Sequence, residues 1–292
     1  MSKSLSRRID VTQDPQLNKQ YNSNYVEPNY RAIANAELKK NNVSKFNWVR
    51  DKRDARDYRY KIVPAQAQTK VDLRPYCSPI ENQYSLGSCT GQAIASAIEY
   101  LDKKDNNWIE VSRLYIYYYT RLLEGNVNQD SGAYIRTAIK SVYNYGAPLE
   151  SLWPYDVKKF RIKPSKQAIS DATTRKVTLY ERVLDLNGCI NALDNGFPVT
   201  IGFYVYSSFE SRNVAKTGIM PYPNINKEKL IGGHAVLLVG YDKTNNYFIA
   251  RNSWGASWGD KGYFYMPFQV IQNRSMSADF WVIKSVNNQQ KK

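Results

Sequence analysis

Apolar residues recur at helical spacing in three stretches of the first half of the chain. In "CTGQAIASAIEYLDKK", Ile94, Ala97, Ile98 and Leu101 fall on one face and predict a helix against a core. "SRLYIYYYTRLLEG" predicts a second helix. "GAYIRTAIKSVYNYG" predicts a third, with Gly146 placed to stop it. The pattern changes at "PVTIGFYVY", where a β-rich half begins. "HAVLLVGYD", "NYFIARNSW" and "GYFYMPF" read as strands separated by turns at 243–246 and 256–261, and "DFWVIKS" as a last strand. A helical part followed by a sheet part predicts an α+β molecule of two lobes with a cleft between them.

Residues 1–67 differ from the rest. They are polar, rich in Asn, Gln and Lys, with one short helix expected over 30–40. The expected organisation is an N-terminal extension over 1–67, serving as a prosegment or a strap, and a domain over 68–292. Within that domain a helical lobe covers about 68–180 and a β lobe about 181–284.

Composition narrows the function classes. The chain has 292 residues, 42% hydrophobic and 23% charged, as a folded soluble protein has. No apolar run approaches the roughly 18 residues of a membrane span, and the basic, polar N-terminus has no apolar run to act as a secretory signal. The formal charge is +15, but basic and acidic residues alternate in "RDKRDARDYRYK" and no nucleic-acid motif is present. Nucleic acid is therefore not the expected main partner.

Three cysteines, Cys77, Cys89 and Cys189, make a poor disulfide framework and suit a reducing compartment such as the cytoplasm. Cys77 and Cys189 read as buried thiols, with a bridge between them left open. His234 is the only histidine and no Cys-x-x-Cys spacing occurs, so no metal site is expected.

The candidate chemistry centres on Cys89. A thiol at a helix N-terminus feels the positive end of the helix dipole, which favours the thiolate, and a nearby imidazolium favours it further. If "GGHAVLLVGYDKTNNYFIARNSWG" folds as a hairpin, Asn252 returns to within a few residues of the position opposite His234. Its amide oxygen can then fix the tautomer of the ring. Gln83 can donate its side-chain NH₂ beside the Cys89 backbone N–H, and Gly87 lets backbone approach a substrate carbonyl.

Gln-x₅-Cys, then His at a strand start, then Asn-Ser-Trp-Gly after a hairpin resembles the papain-like cysteine peptidases, in order and spacing, from about residue 70 to 284. "GSCTGQA", "GHAVLLVGYD" and "RNSWGASWGDKGYFYM" look like that family's nucleophile, histidine and asparagine segments. The resemblance implies a papain-like two-lobed fold and a cysteine endopeptidase that acts through a thioester and needs no cofactor. Cys89 would be nucleophile, His234 base and then acid, Asn252 its orienter, and Gln83 an oxyanion donor. It also implies a substrate groove formed by Gly87, Gly132, Ala133, Tyr134, Gly233 and Trp254, with Ala278 at the floor of a side-chain pocket. Partners would be protein or peptide substrates.

Departures from the family pattern are Leu86, where secreted members often carry a disulfide cysteine, and Thr90, where an aromatic is usual. Residues 1–67 also lack the long helical prosegment pattern common in lysosomal members. The chain looks most like the signal-less members of bacteria and large DNA viruses, which leaves room for packaging in a virion. The same thioester could serve an acyltransferase or transglutaminase-like reaction, and a catalytically silent peptide-binding protein could keep the same fold.

Overall fold

The computed structural model describes residues 46–66 and 68–288, so the helix expected over 30–40 lies outside the described residues. Ahead of the helical lobe run two short strands, β1 (Trp48–Val49) and β2 (Lys70–Asp72). The three helical periodicities fold as α1 (Cys89–Lys104), α2 (Arg113–Leu123) and α3 (Ile135–Tyr145), with β3 (Ala133–Tyr134) leading into α3. Ser112 caps α2 by accepting from the Tyr115 N–H. Gly146 ends α3 at φ +80°, a conformation that costs glycine little. Gly91 lets α1 lie close on α2, since a Cβ there would sit 3.0 Å from the Arg113 carbonyl oxygen.

The second half contains more helix than its apolar pattern predicts. After α4 (Lys166–Ala172) come β4 (Arg175–Val183), α5 (Leu186–Asp194), β5 (Val199–Tyr206), α6 (Arg212–Thr217), β6 (Leu230–Asp242), β7 (Tyr247–Arg251), β8 (Tyr263–Pro267), α7 (Phe268–Gln272) and β9 (Ser277–Asn288). Asp185 and Ser211 cap α5 and α6 through their side chains, signals too short to show as periodicity.

The long strands form one seven-stranded sheet in the order β4-β9-β5-β6-β7-β8, with β2 antiparallel on β6. The first ladder residue of the second half is Arg175, so the sheet begins slightly before the expected lobe boundary. A continuous buried core joins α1 to β5, β6 and β9. It positions the N-terminus of α1 against the start of β6, where the candidate residues converge.

Cys77 and Cys189 are both free and buried, so the bridge left open from sequence is not formed. Among the described residues no helix is long and apolar enough to cross a membrane, and no group of three or more His, Cys, Asp or Glu side chains is arranged to hold a metal ion.

Candidate active site

Cys89 is the first residue of α1 and is fully buried. Its sulfur meets the backbone N–H groups of Ala235, Asn47 and Thr90. The Ala235 contact brings the helix terminus against β6 one residue from His234. His234 itself lies opposite Phe203 on β5.

The expected hairpin forms. β6 pairs with β7 in the register Leu237↔Arg251, and Asn252 follows at the strand end. His234 Nε2 lies 2.8 Å from Asn252 Oδ1. The same oxygen accepts the Ser253 N–H at 2.9 Å, so it is the carbonyl end of the amide. Nε2 must therefore donate, which leaves the proton-accepting role to Nδ1. Trp254 stacks on the imidazole, with ring centroids 5.0 Å apart and planes 29° apart, and covers this bond.

Gln83 is fully buried and tied at both ends of its amide. Nε2 donates to the Leu86 carbonyl at 2.9 Å, and Oε1 accepts from Ser253 Oγ at 2.6 Å. Its backbone N–H donates to the Ser253 carbonyl at 2.9 Å. The loop before the nucleophile is thus stitched to the loop carrying Asn252. Tyr155 adds a brace, since its hydroxyl donates to the Gln83 carbonyl at 2.9 Å and meets Ser88 Oγ at 2.6 Å.

Gly132 has φ +69° and Ala133 follows it into β3. The Tyr134 N–H donates to Glu124 Oε1 at 3.0 Å. Ala278 on β9 is in register with Gly202 on β5, and Gly233 opposes Tyr204. The Gly87 N–H faces the Asp130 carboxylate at 3.0 and 3.1 Å. Asp130 also accepts from the Tyr117 hydroxyl at 2.5 Å, so it ties the nucleophile loop to the groove wall.

Cys89 opens α1, where the helix dipole favours the thiolate. Burial outweighs the three N–H groups that would favour the anion and pushes the thiol up to about 11.

What buries it is the chain's own N-terminal segment. Phe46 packs edge-on to His234, with centroids 6.0 Å apart, and to Trp254 at 5.5 Å. The Asn47 carbonyl accepts the Ala133 N–H at 3.2 Å, and Asn47 bridges in parallel to Gly233. β1 then pairs in parallel with β3, Trp48 opposite Ala133 and Val49 opposite Tyr134. The Trp48 indole, 2% exposed, lies over two glycines. A Cβ on Gly202 would fall 1.9 Å from it, and one on Gly233 2.5 Å from the Trp48 carbonyl oxygen. Tyr204 closes the niche at 5.2 Å. Isolated aromatics in a polar stretch have no period, so Phe46 and Trp48 went unread in the sequence, as did Asp130 and Ser253, whose single polar side chains act through contacts distant in the chain.

The profile of the family described as papain family cysteine protease matches residues 67–281, and the chain belongs to that family. An uncharacterized peptidase C1-like protein of Acanthamoeba polyphaga mimivirus is 40% identical over 243 residues, covering 80% of this chain and 75% of that protein. Chymopapain of Carica papaya is 28% identical over 270 residues, covering 87% and 71% respectively. Among solved structures, xylellain, a cysteine protease from Xylella fastidiosa, superposes with a TM-score of 0.77 at 38% identity, covering 83% of this chain and 97% of that one. The protein is a papain-like cysteine protease, a hydrolase of the α+β class.

Proposed function

We propose that the chain is an endopeptidase in which Cys89, His234 and Asn252 form the reacting triad and Gln83 completes the oxyanion site. The observation that carries this reading is the bond from His234 Nε2 to Asn252 Oδ1, on the strand whose next residue meets the Cys89 sulfur. With Nε2 holding a proton for Asn252, Nδ1 takes the thiol proton. The thiolate attacks the scissile carbonyl carbon, and the negative oxygen receives hydrogen bonds from the Cys89 N–H and the Gln83 NH₂. Collapse breaks the C–N bond as the imidazolium passes its proton to the leaving nitrogen. Water, deprotonated by the imidazole, then cleaves the thioester and returns the thiol. Trp254 keeps water from the His234–Asn252 bond, and Gly132, Ala133, Gly233 and Ala278 bound the groove for the substrate chain.

Residues 1–67 act in this reading as an inhibitory extension on the peptidase domain of 68–292. The support is that Phe46, Asn47 and Trp48 take the groove positions a substrate would need, so the full chain is a closed precursor. Three free buried thiols support work in a reducing compartment.

The test is turnover of a peptide library by the chain before and after removal of residues 1–67, beside Cys89→Ala. The expected result is cleavage by the shortened chain, little by the full chain and none by the Cys89→Ala protein. Equal turnover with and without the Cys89 sulfur overturns the reading.

A further inference from the structure

Beside Trp254 the surface carries a recess whose other walls the proposed mechanism does not use. It has a volume of about 250 Å³ and is lined by Asn82, Tyr84, Glu210, Trp254 and Trp258. Small-molecule sites span roughly 300–1,000 Å³, so this recess suits one side chain better than a cofactor. Gly132, Ala133, Gly202 and Gly233, over which the N-terminal strap lies, are not among its walls.

The walls are assembled from short local pieces. Trp254 and Trp258 form a corner, with ring centroids 4.9 Å apart and planes at 81°. Phe209 packs against both rings, at 5.6 and 5.5 Å, and is buried. Glu210 follows it at the end of the 3₁₀ turn Ser207–Glu210, so the anchored phenylalanine delivers the exposed Glu210 side chain to the recess. Asn82 bridges to Trp254 through the backbone, and its Oδ1 accepts the Tyr84 N–H at 2.8 Å. Tyr84 is the third aromatic wall. It is 64% exposed and stands at φ +51°, a conformation that residues other than glycine rarely adopt. Glu210 is the one charged residue among the five.

Three aromatic rings and one carboxylate make a receptor for a cation, since ring faces and carboxylate both attract positive charge. An acidic side chain would meet Glu210 as a like charge, and an apolar one would strip water from the carboxylate without replacing it. We propose that this recess is the subsite for an Arg or Lys side chain on the leaving side of the scissile bond, and that Glu210 selects it. The inference rests on the peptidase reading. In that reading His234 protonates the leaving nitrogen, and Trp254 is stacked on its ring at 5.0 Å. Asn82 and Tyr84 flank Gln83, the oxyanion donor. A substrate whose acyl side takes the place of the strap therefore departs past Trp254, with its first or second residue in reach of Glu210. The formal charge of +15 opposes a cation at long range, but salt screens that field within about 10 Å, and contacts inside the recess decide.

The first arm of the test needs no catalysis. N-acetyl-arginine amide and its neutral isostere N-acetyl-citrulline amide are titrated into the full chain, and binding is read from the indole N–H resonances of Trp254 and Trp258. One cation–π contact and one exposed ion pair together predict that the arginine compound binds about three- to thirtyfold more tightly. Glu210→Gln, an isosteric change at an exposed position, should reduce that ratio to about two- to fivefold. Equal binding of the two compounds, or a ratio that Glu210→Gln leaves unchanged, overturns the inference. The second arm sequences the new N-termini released from a peptide library by the chain lacking residues 1–67. Arg and Lys should be enriched at the first or second residue after the cut, less so in Glu210→Gln, and depleted in Glu210→Lys. Cleavage without that enrichment overturns the subsite and leaves the peptidase reading standing. Selective binding of the arginine compound by a chain that cuts no peptide leaves the cation recess standing and removes the peptidase reading.

Discussion

The Asn47 carbonyl oxygen accepts the Ala133 N–H at 3.2 Å, so a residue of the N-terminal strap satisfies the backbone of the groove wall. The strongest hold beside it is the Trp48 indole on Gly202 and Gly233. Truncating a buried Trp to Ala costs about 3–5 kcal/mol in a core. Trp48→Ala should shift the closing equilibrium of the strap by at least about 100-fold, raising peptide hydrolysis by the full chain. The thermal midpoint of the domain should change little. Unchanged activity in Trp48→Ala, with the shortened chain active, would show that the strap's hold lies elsewhere.

Cys89 should report the strap through its own reactivity. In the closed form burial pushes its thiol up to about 11, so thiolate is scarce at neutral pH. Iodoacetamide should label the full chain slowly until the pH nears that value. In a chain lacking residues 1–67 the sulfur regains water and the imidazole, and labelling should proceed well below the ordinary thiol value of about 8.5. Burial raises Cys77 and Cys189 too, so mass mapping of the modified peptide isolates the Cys89 signal. Identical pH profiles for the two chains would separate the strap from the nucleophile.

Gln83 and Ser253 should differ in a graded way. In the proposed mechanism Gln83→Ala removes a donor to the developing oxyanion, and losses of about 10²–10³ in kcat are usual for such a donor. Ser253→Ala leaves the amide in place and removes only its 2.6 Å tether to Oε1. One lost hydrogen bond of about 1–1.5 kcal/mol predicts a loss near tenfold in kcat. Neither change should move KM much, since both groups act as charge develops. Steady-state kinetics on the shortened chain reads both.

How much of this was legible depends on the range of the contacts. The segments around Cys89, His234 and Asn252 could be read because each sits in a strong local element. Cys89 opens a periodic helix, and His234 and Asn252 sit on a hairpin whose turn at 243–246 sets their register. β4 was missed because its ladder with β9 shifts register near Leu179, which breaks the alternation that marks a strand. The strap was legible only as a change in composition. Its fastening depends on Asp51 meeting Asp279, 228 residues away, and no local pattern encodes such a pairing. The burial of Cys89 was hidden for the same reason, since the sequence around it carries the helix dipole but not the segment that covers the sulfur.

Arg113 offers a test of what holds the two lobes in register. Its guanidinium, 2% exposed, lies 2.6 Å from Glu81, 2.9 Å from Glu110 and 3.1 Å from Glu150, with Glu99 at 3.7 Å. Glu81 precedes the Gln83 loop, and its carbonyl accepts the Gly255 N–H at 2.9 Å, so the cluster reaches the seam beneath the active site. Arg113→Met keeps most of the volume and strands several carboxyls, a change worth about 3–5 kcal/mol of stability. The loss should depend on pH. Burial already raises Glu81 and pushes Glu150 up to about 7 despite Arg113, so without the cation these acids bind protons more readily still. A carboxyl raised in the folded state favours folding below its unfolded value and loses that contribution as the pH rises through its folded value. Arg113→Met should therefore be less destabilised at pH 5 than at pH 8. Urea unfolding of both proteins at the two pH values measures this, and an equal loss at each would show that the carboxyls stay charged without their partner.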